Sequence, residues 1–240
     1  MNNQIKYSLA GFCMGVAELI PGISGATVAV IFKIYPNLMS ILSKLRIKNL
    51  SLNFSSLSKT FQFDVSMPLI FSMIVAIVIC SNGIDFLLNN YEGLFLSSLG
   101  LLMIFLSIYI VNFFKGIIEK KNLIIYLFFG MLIGFGLQEL NIGSSNTSIF
   151  YLFFCGILAF SFFLIPGISG SAMLVVLGVY GPVIQAVANF NLNILIPFGL
   201  GCLVSLLILP KAVLSIYSKY EQNLMYVFSG LIFSSGFFLL

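Results

Sequence analysis

The sequence lacks histidine entirely, and Arg46 is its only arginine. Histidine is the side chain that most often acts as a general base near neutral pH. Arginine is the residue best suited to hold phosphate in a bidentate manner. Because both are scarce, most hydrolytic chemistry is disfavoured. We therefore predict that the protein is not an enzyme and has no catalytic residue.

Charge is scarce as well: 8% of the 240 residues are charged, whereas 60% are hydrophobic. Soluble domains typically contain about 25% charged residues. A membrane-spanning helix needs about 20 largely apolar residues, so the chain has room for roughly seven to nine membrane segments. We predict an all-α polytopic membrane protein with a single transmembrane domain, 1–240.

Paired cysteines are also absent. The four cysteines each lie in an apolar segment without CxxC-type spacing, which favours packing over metal binding: Cys13, Cys80, Cys155 and Cys202. We predict no metal site and no cofactor. The formal charge of +4 comes from basic residues in short loops, where membrane topology explains them, so we expect no nucleic-acid partner.

The sequence does contain an internal repeat. The motif LIPGISG occupies 19–25 and recurs unchanged at 164–170, an offset of 145 residues (164 − 19). The likeness continues at this offset through two further pairs, Val30 with Val175 and Tyr35 with Tyr180. A repeat of this kind sets the architecture before any single element is assigned.

A second match has an offset of 129 residues (197 − 68) and runs from Pro68 to Glu92 and from Pro197 to Glu221. The shorter offset indicates an insertion in the first copy, within the polar stretch 43–66. We predict three parts: repeat one at 5–114, a connecting helix at 123–138 and repeat two at 148–240.

The two repeats are predicted to have inverted topology. Three apolar segments, 67–83, 91–114 and 123–138, lie between the motifs, and the motif segments add either no crossing or two. The number of crossings is odd in both cases, so repeat two enters the membrane from the opposite face, as in many secondary transporters. We favour re-entrant helical hairpins, since the first arm, 5–20, is short for a span.

The basic residues give the orientation. Nearly all of them fall on one face, whereas the loops expected near 84–90, 139–147 and 189–193 contain no Lys or Arg. The positive-inside rule then makes the basic face cytoplasmic. We predict a cytoplasmic N-terminus and an extracytoplasmic C-terminus.

The motif itself predicts a broken helix, because its proline and glycine end one helix and a serine can cap the next. The free amides of a helix start attract phosphate or carboxylate. Two such breaks brought together predict an anion site, although tight helix packing alone would also explain the small residues. The predicted binding residues are Gly22, Ser24, Gly25, Thr27, Gly167, Ser169, Gly170 and Ser171.

Two ionisable residues close to the first motif have no ionisable counterpart in the second copy. Glu18 precedes the first break, and Phe163 replaces it in the second copy. Ionisable groups within a membrane are usually functional, which suggests a proton-coupling role for Glu18; a carboxylate facing the headgroups is the alternative. Lys33, replaced by Gly178, is either a charge partner of the anion or a side chain that reaches the interface.

The segments AELIPGISGAT at 17–27, FLIPGISGSAMLVVLGVYG at 163–181 and PFGLGCLVSLL at 197–207 resemble the bacterial polyprenyl-phosphate transporter family. The resemblance covers essentially the whole chain. It implies a flippase in the bacterial cytoplasmic membrane that returns undecaprenyl phosphate to the cytoplasmic leaflet. Such a protein would recycle the carrier lipid of cell-envelope synthesis, with polyprenyl phosphate and membrane lipids as its partners.

The resemblance also bears on single residues. The family's acidic position before IPG matches Glu18, which is consistent with coupling to H⁺ or Na⁺. Its SGGT segment reads Ser24-Gly25-Ala26-Thr27 here. Lys33 replaces the family's glycine before the Ile-Tyr pair, so its role is open.

Three other functions compete with lipid-phosphate transport. A carrier or channel for a small ion would use the same broken-helix geometry. A membrane-embedded lipid phosphatase would need a base and an electrophilic clamp, which this sequence scarcely offers. A scaffold without substrate would use the motif for packing alone. The sequence indicates no oligomeric state.

Overall fold

The computed structural model describes residues 3–45, 54–111, 121–140 and 147–240. This part of the chain contains ten α-helices, a short 3-10 turn at Lys121–Leu123 and no β-strand. The α-helices in chain order are α1 Asn3–Glu18, α2 Gly25–Ile31, α3 Tyr35–Ser43, α4 Phe54–Phe61, α5 Phe63–Ile110, α6 Ile124–Glu139, α7 Ile149–Leu164, α8 Gly170–Val176, α9 Tyr180–Ala188 and α10 Leu192–Phe238.

Within the described residues, α5 and α10 are long and apolar enough to cross a membrane, with 48 and 47 residues. The pair α8 and α9, bent by 116°, counts as a third candidate if it forms one broken span. Large apolar side chains such as Phe71 and Leu94 are exposed on α5, as lipid contact requires. The prediction of an all-α membrane protein is confirmed.

Each of the two long helices contains one break. A straight 48-residue helix would be about 72 Å long, more than twice the ~30 Å hydrocarbon core of a bilayer. Tyr91 interrupts α5 with φ −139° and ψ 31°, and Tyr220 interrupts α10 with φ −133° and ψ 40°. The two tyrosines correspond at the offset of 129 residues. Both long helices are therefore divided at the same repeat position.

The loop predicted near 84–90 is wrong, because these residues are helical and α5 continues to its break at Tyr91. The segment contains neither proline nor glycine, so nothing ends the helix there. Helix α6 coincides, to within one residue at each end, with the connecting helix predicted at 123–138. The boundary predicted at 114 and the residues Arg46 and Lys48 lie outside the described residues.

The two motif copies take the same backbone conformation. Gly22 and Gly167 have φ values of 83° and 84°, which glycine adopts without the strain of a side chain. Each break is followed by a seven-residue helix, α2 or α8, and then by a second left-handed residue. That residue is Lys33 (φ 56°) in the first copy and Gly178 (φ 69°) in the second.

Glycines bring the helices of each copy into close contact. A Cβ atom on Gly11 of α1 would lie 2.2 Å from the Leu69 carbonyl oxygen of α5. A Cβ atom on Gly156 of α7 would lie 2.1 Å from the Phe198 carbonyl oxygen of α10. Gly156 corresponds to Gly11, and Phe198 corresponds to Leu69. The same close backbone contact therefore occurs in both copies.

The segments that follow the two breaks, 92–110 and 221–238, pack against each other in opposite directions. The Ser229 hydroxyl donates to the Ser107 carbonyl at 2.8 Å. A Cβ atom on Gly100 would lie 2.5 Å from the Gly236 carbonyl oxygen. At the offset of 129, Gly100 corresponds to Ser229 and Ser107 to Gly236. The contact is thus reciprocal, since each copy contributes the same two positions.

Candidate functional site

A cavity of about 640 Å³ lies beside the two motif copies. Its walls come from both motifs, from α8, from the start of α9 and from the last turns of α6. Five polar side chains contribute to the lining: Glu18, Gln138, Ser169, Ser171 and Tyr180. Most of the other lining residues are apolar, among them Ile20, Ile23, Leu137, Ile168 and Met173.

Glu18 lies at the wall of this cavity and also contacts the start of α2. The Gly25 N–H donates to the Glu18 carboxylate Oε1 at 2.8 Å. A Cβ atom on Gly25 would lie 2.6 Å from that oxygen, so glycine leaves the space that the carboxylate uses. The first helix start therefore already holds a carboxyl group supplied by the chain itself.

The other polar groups of the first copy are satisfied by protein partners. The Ala26 N–H donates to Ser24 Oγ at 3.2 Å, which confirms Ser24 as an N-cap. The Gly167 N–H donates to Thr27 Oγ1 at 2.9 Å. Ser24 and Thr27 are both buried and do not line the cavity. The structure therefore places them at the contact between the two motif copies.

The second copy presents its hydroxyls to the cavity. Ser169 occupies the N-cap position of α8, as predicted, but its hydroxyl makes no capping bond to an amide. It forms a hydrogen bond of 2.7 Å with the Ser171 hydroxyl instead. Both serines line the cavity, and Ser171 is exposed. These hydroxyls are the donors best placed to bind an anion.

Of the remaining predicted residues, one lines the cavity, and the others do not. Gly22 lines the cavity, whereas Gly25, Gly167 and Gly170 are not among its lining residues. A Cβ atom on Gly167 would lie 2.5 Å from the Ile232 nitrogen, so this glycine allows the second break to pack on α10. Lys33 is exposed and is not among the lining residues.

Two of the polar lining residues were not predicted as site residues. Tyr180 was identified only as part of the repeat, and its place in the lining follows from the position of α9. Gln138 stands in the last turn of the otherwise apolar α6. A polar residue at the end of an apolar helix is the signal that could have indicated it. Among the described residues, no group of three or more His, Cys, Asp or Glu could hold a metal ion.

Apolar helices, two broken-helix motifs in direct contact and a partly polar cavity beside them define a class of protein. This combination is that of a polytopic membrane transporter, in which discontinuous helices form the substrate site.

The chain belongs to the undecaprenyl phosphate translocase-like family, whose model matches residues 14–237. A polyprenyl-phosphate transporter of Vibrio cholerae is 28% identical over 248 residues, covering 95% of this chain and 75% of the relative. A polyprenyl-phosphate transporter of Staphylococcus aureus is 29% identical over 223 residues, covering 85% of this chain and 75% of the relative. No solved structure gives a significant match.

Proposed function

We propose that this protein is a flippase that moves undecaprenyl phosphate across the bacterial cytoplasmic membrane, as part of carrier-lipid recycling. The observation that carries the proposal is the cavity beside the two breaks, whose lining combines the Ser169 and Ser171 hydroxyls with apolar walls. The hydroxyls suit a phosphate oxygen. The names of the relatives support the same substrate class.

The apolar lining favours a lipid phosphate over a soluble ion. A small hydrated anion needs polar partners on all sides, and burying it against apolar walls is costly. A lipid phosphate needs polar partners only at its headgroup, because its isoprenoid tail can stay in contact with apolar side chains or with the bilayer. No catalytic step is required, so the proposal is transport without covalent chemistry.

We further propose that the two repeats have inverted topology. The reciprocal contact of Gly100 and Ser107 with Gly236 and Ser229 supports this arrangement. A reciprocal contact indicates a two-fold axis, and the two segments run in opposite directions, so that axis is perpendicular to them. For segments that span a bilayer, such an axis lies in the membrane plane.

The cavity is proposed to open toward the extracytoplasmic side. Gln138 belongs to the last turn of α6, next to the predicted extracytoplasmic loop 139–147. Leu239, close to the C-terminal end of α10, lies against Gly22 of the cavity lining. Both observations support an outward-facing state, ready to accept lipid phosphate from the outer leaflet.

Glu18 is proposed to carry the coupling proton. Its carboxyl group lines the same cavity as the hydroxyls of Ser169 and Ser171, and no Lys or Arg is among the lining residues in the described part of the chain. An ionised carboxylate and a phosphate in one cavity repel each other. A proton on Glu18 would remove this repulsion, so lipid phosphate and proton would be transported together.

Binding of undecaprenyl phosphate to the purified full-length chain tests the substrate. We expect Ser169→Ala together with Ser171→Ala to weaken binding on the order of thirtyfold, since two hydrogen bonds of about 1 kcal/mol each are lost. The matched control is Ser215→Ala together with Ser218→Ala, two exposed serines of α10 outside the cavity. Neutral undecaprenol should bind far more weakly than the phosphate.

The same preparation in proteoliposomes distinguishes the alternatives. Transport of inorganic phosphate without any binding of lipid phosphate would favour the small-ion carrier. Equal affinity of wild type and the double Ser169/Ser171 variant would place the binding site elsewhere. Release of phosphate from a lipid substrate would indicate an enzyme.

A further inference from the structure

Among the described residues, the hydrogen bonds between residues 24–35 of the first copy and residues 163–167 of the second lie on one side of the molecule. Three side-chain hydrogen bonds join these two segments: Ser24 Oγ donates to the Phe163 carbonyl at 3.4 Å, the Gly167 N–H donates to Thr27 Oγ1 at 2.9 Å, and the Tyr35 hydroxyl donates to the Leu164 carbonyl at 3.0 Å. These contacts close the side of the molecule on which α3 lies.

The repeat assigns a counterpart to each of these contacts. At the offset of 145 residues the counterpart pairs are Ser169 with Glu18, Ala172 with Gly22, and Tyr180 with Leu19. All six of these residues line the cavity. The cavity therefore occupies the place where the repeat-related contacts would form. The structure is closed on the side of α3 and open on the side of Tyr180.

The two tyrosines differ accordingly. Tyr35 is 1% exposed and its ring packs on Phe228 at a centroid distance of 5.3 Å. Tyr180 is 43% exposed. Helix α3, which begins at Tyr35, packs against α10 of the other copy, whereas α9, which begins at Tyr180, has no comparable packing on α5. The same sequence position is thus docked in one copy and undocked in the other.

Of the three contacts, the tyrosine hydrogen bond is the one for which both copies have a suitable donor and acceptor. Ala172 replaces Thr27 and has no hydroxyl, so the threonine contact cannot be repeated. The serine contact is long, at 3.4 Å. Tyr180 has the same phenolic donor as Tyr35, and Leu19 has the same backbone acceptor as Leu164.

We propose that Tyr35 and Tyr180 are positioning residues that close the two sides of the substrate cavity in turn. In the state observed, Tyr35 bonds to Leu164 and the cavity opens beside Tyr180. In the alternate state, Tyr180 donates to the Leu19 carbonyl, the bond of Tyr35 is broken and the cavity opens on the α3 side. This inference rests on the proposed transport function, which requires access from both sides.

A matched pair of valines reports which side is open. Val175 is 58% exposed and lines the cavity, whereas its counterpart Val30 is 3% exposed. Each is replaced singly by cysteine in the full-length chain, after the four native cysteines are changed to alanine. The rate of reaction with a water-soluble maleimide is then measured in lipid nanodiscs without substrate, and the Val30→Cys rate is divided by the Val175→Cys rate.

We expect Tyr35→Phe to raise this ratio and Tyr180→Phe to lower it, each on the order of fivefold, because each removes one hydrogen bond from one state only. The double variant should return close to the original ratio. A purely structural role would not give shifts of opposite sign.

Equal ratios in all variants, or shifts in the same direction for both tyrosines, would overturn the inference. If Tyr35→Phe does not fold, Tyr180→Phe at its exposed position decides alone. The labelling needs no substrate, so it separates this inference from the proposed substrate. Opposite shifts without lipid-phosphate binding would keep the alternating tyrosines and reject the flippase function.

Discussion

Lys33 keeps the repeated backbone conformation although its residue type differs from that of its counterpart, Gly178. It has φ 56°, close to the 69° of its counterpart Gly178. A left-handed conformation costs a residue with a side chain roughly 1 kcal/mol, whereas glycine adopts it freely. The chain therefore keeps the turn between α2 and α3 despite an unfavourable residue.

Replacing this lysine by glycine should make the protein more stable. We expect Lys33→Gly to raise the free energy of unfolding by about 0.5–1 kcal/mol, because the strain at φ 56° disappears. Thermal unfolding in detergent micelles measures the effect. Gly178→Ala is the matched control and should lower stability by a similar amount. A less stable Lys33→Gly protein would mean that the lysine side chain makes contacts that outweigh the strain.

Glu18 can be tested by a change that keeps its hydrogen bond. In Glu18→Gln, the amide oxygen can still accept from the Gly25 N–H, but the side chain can no longer bind and release a proton. We expect transport of undecaprenyl phosphate in proteoliposomes to lose its response to an imposed pH gradient. Glu92→Gln, at an exposed position of α5, should respond like wild type.

The sequence predicted single residues of the site only in part. It identified the motif, the Ser24 cap and Glu18 correctly as features of the break. It could not tell that Thr27 contacts Gly167 while Ser171 faces the cavity, because the two copies share the same motif and their difference arises from tertiary packing. Gln138 was missed because it lies far from the motif in sequence.

Glycine contacts set the distances between neighbouring helices. Helix α6 packs against the second part of α10 through Gly130, where a Cβ atom would lie 2.2 Å from the Val227 carbonyl oxygen. Another glycine of α6, Gly136, has no neighbour within 4 Å of such an atom. One helix therefore contains both a contact glycine and a free one.

These two glycines give a matched pair of substitutions. We expect Gly130→Ala to destabilise the protein by about 1–3 kcal/mol, because the α10 backbone must move away. Gly136→Ala should be neutral or stabilising by up to ~1 kcal/mol, since alanine favours the helix and contacts nothing. Thermal unfolding of both variants in the same detergent compares them. A similar loss of stability for both would show that the α6–α10 contact is looser than the structure indicates.

The elements were predicted with more success than their ends. Helix breaks at both motifs follow from proline and glycine, and the structure has them. The loop expected near 84–90 does not exist, because polar residues can remain helical where a helix reaches water. The break falls at Tyr91, which hydrophobicity alone could not indicate.

At the scale of the whole molecule, the two copies of the repeat differ in how they pack against each other. The first copy is docked on the second through Tyr35, while the equivalent face of the second copy lines a cavity. Sequence comparison of the copies predicted that they meet. It could not predict which side is open, since this depends on small differences in packing energy between two similar arrangements.

The orientation in the membrane can be measured with two exposed positions. Asn189 lies in the turn between α9 and α10, just before α10 begins at Leu192. Lys219 lies at the far end of the first part of α10, about 40 Å from Leu192 if the helix is regular. In a background without native cysteines, we expect Asn189→Cys to react with an impermeant maleimide on intact cells. Lys219→Cys should react only after the membrane is permeabilised. The reverse pattern would mean that the protein has the opposite orientation.

The reciprocal contact between Gly100, Ser107, Ser229 and Gly236 bears on how such a chain could arise. A half-length chain with one copy would have both halves of this contact on a single helix face. With the proposed inverted topology, two such chains inserted in opposite directions would present this contact to each other. Joining them in one polypeptide fixes the ratio of the two directions at one to one and lets each half diverge. A carboxylate such as that of Glu18 then has to occur only once, with Phe163 at the matching position.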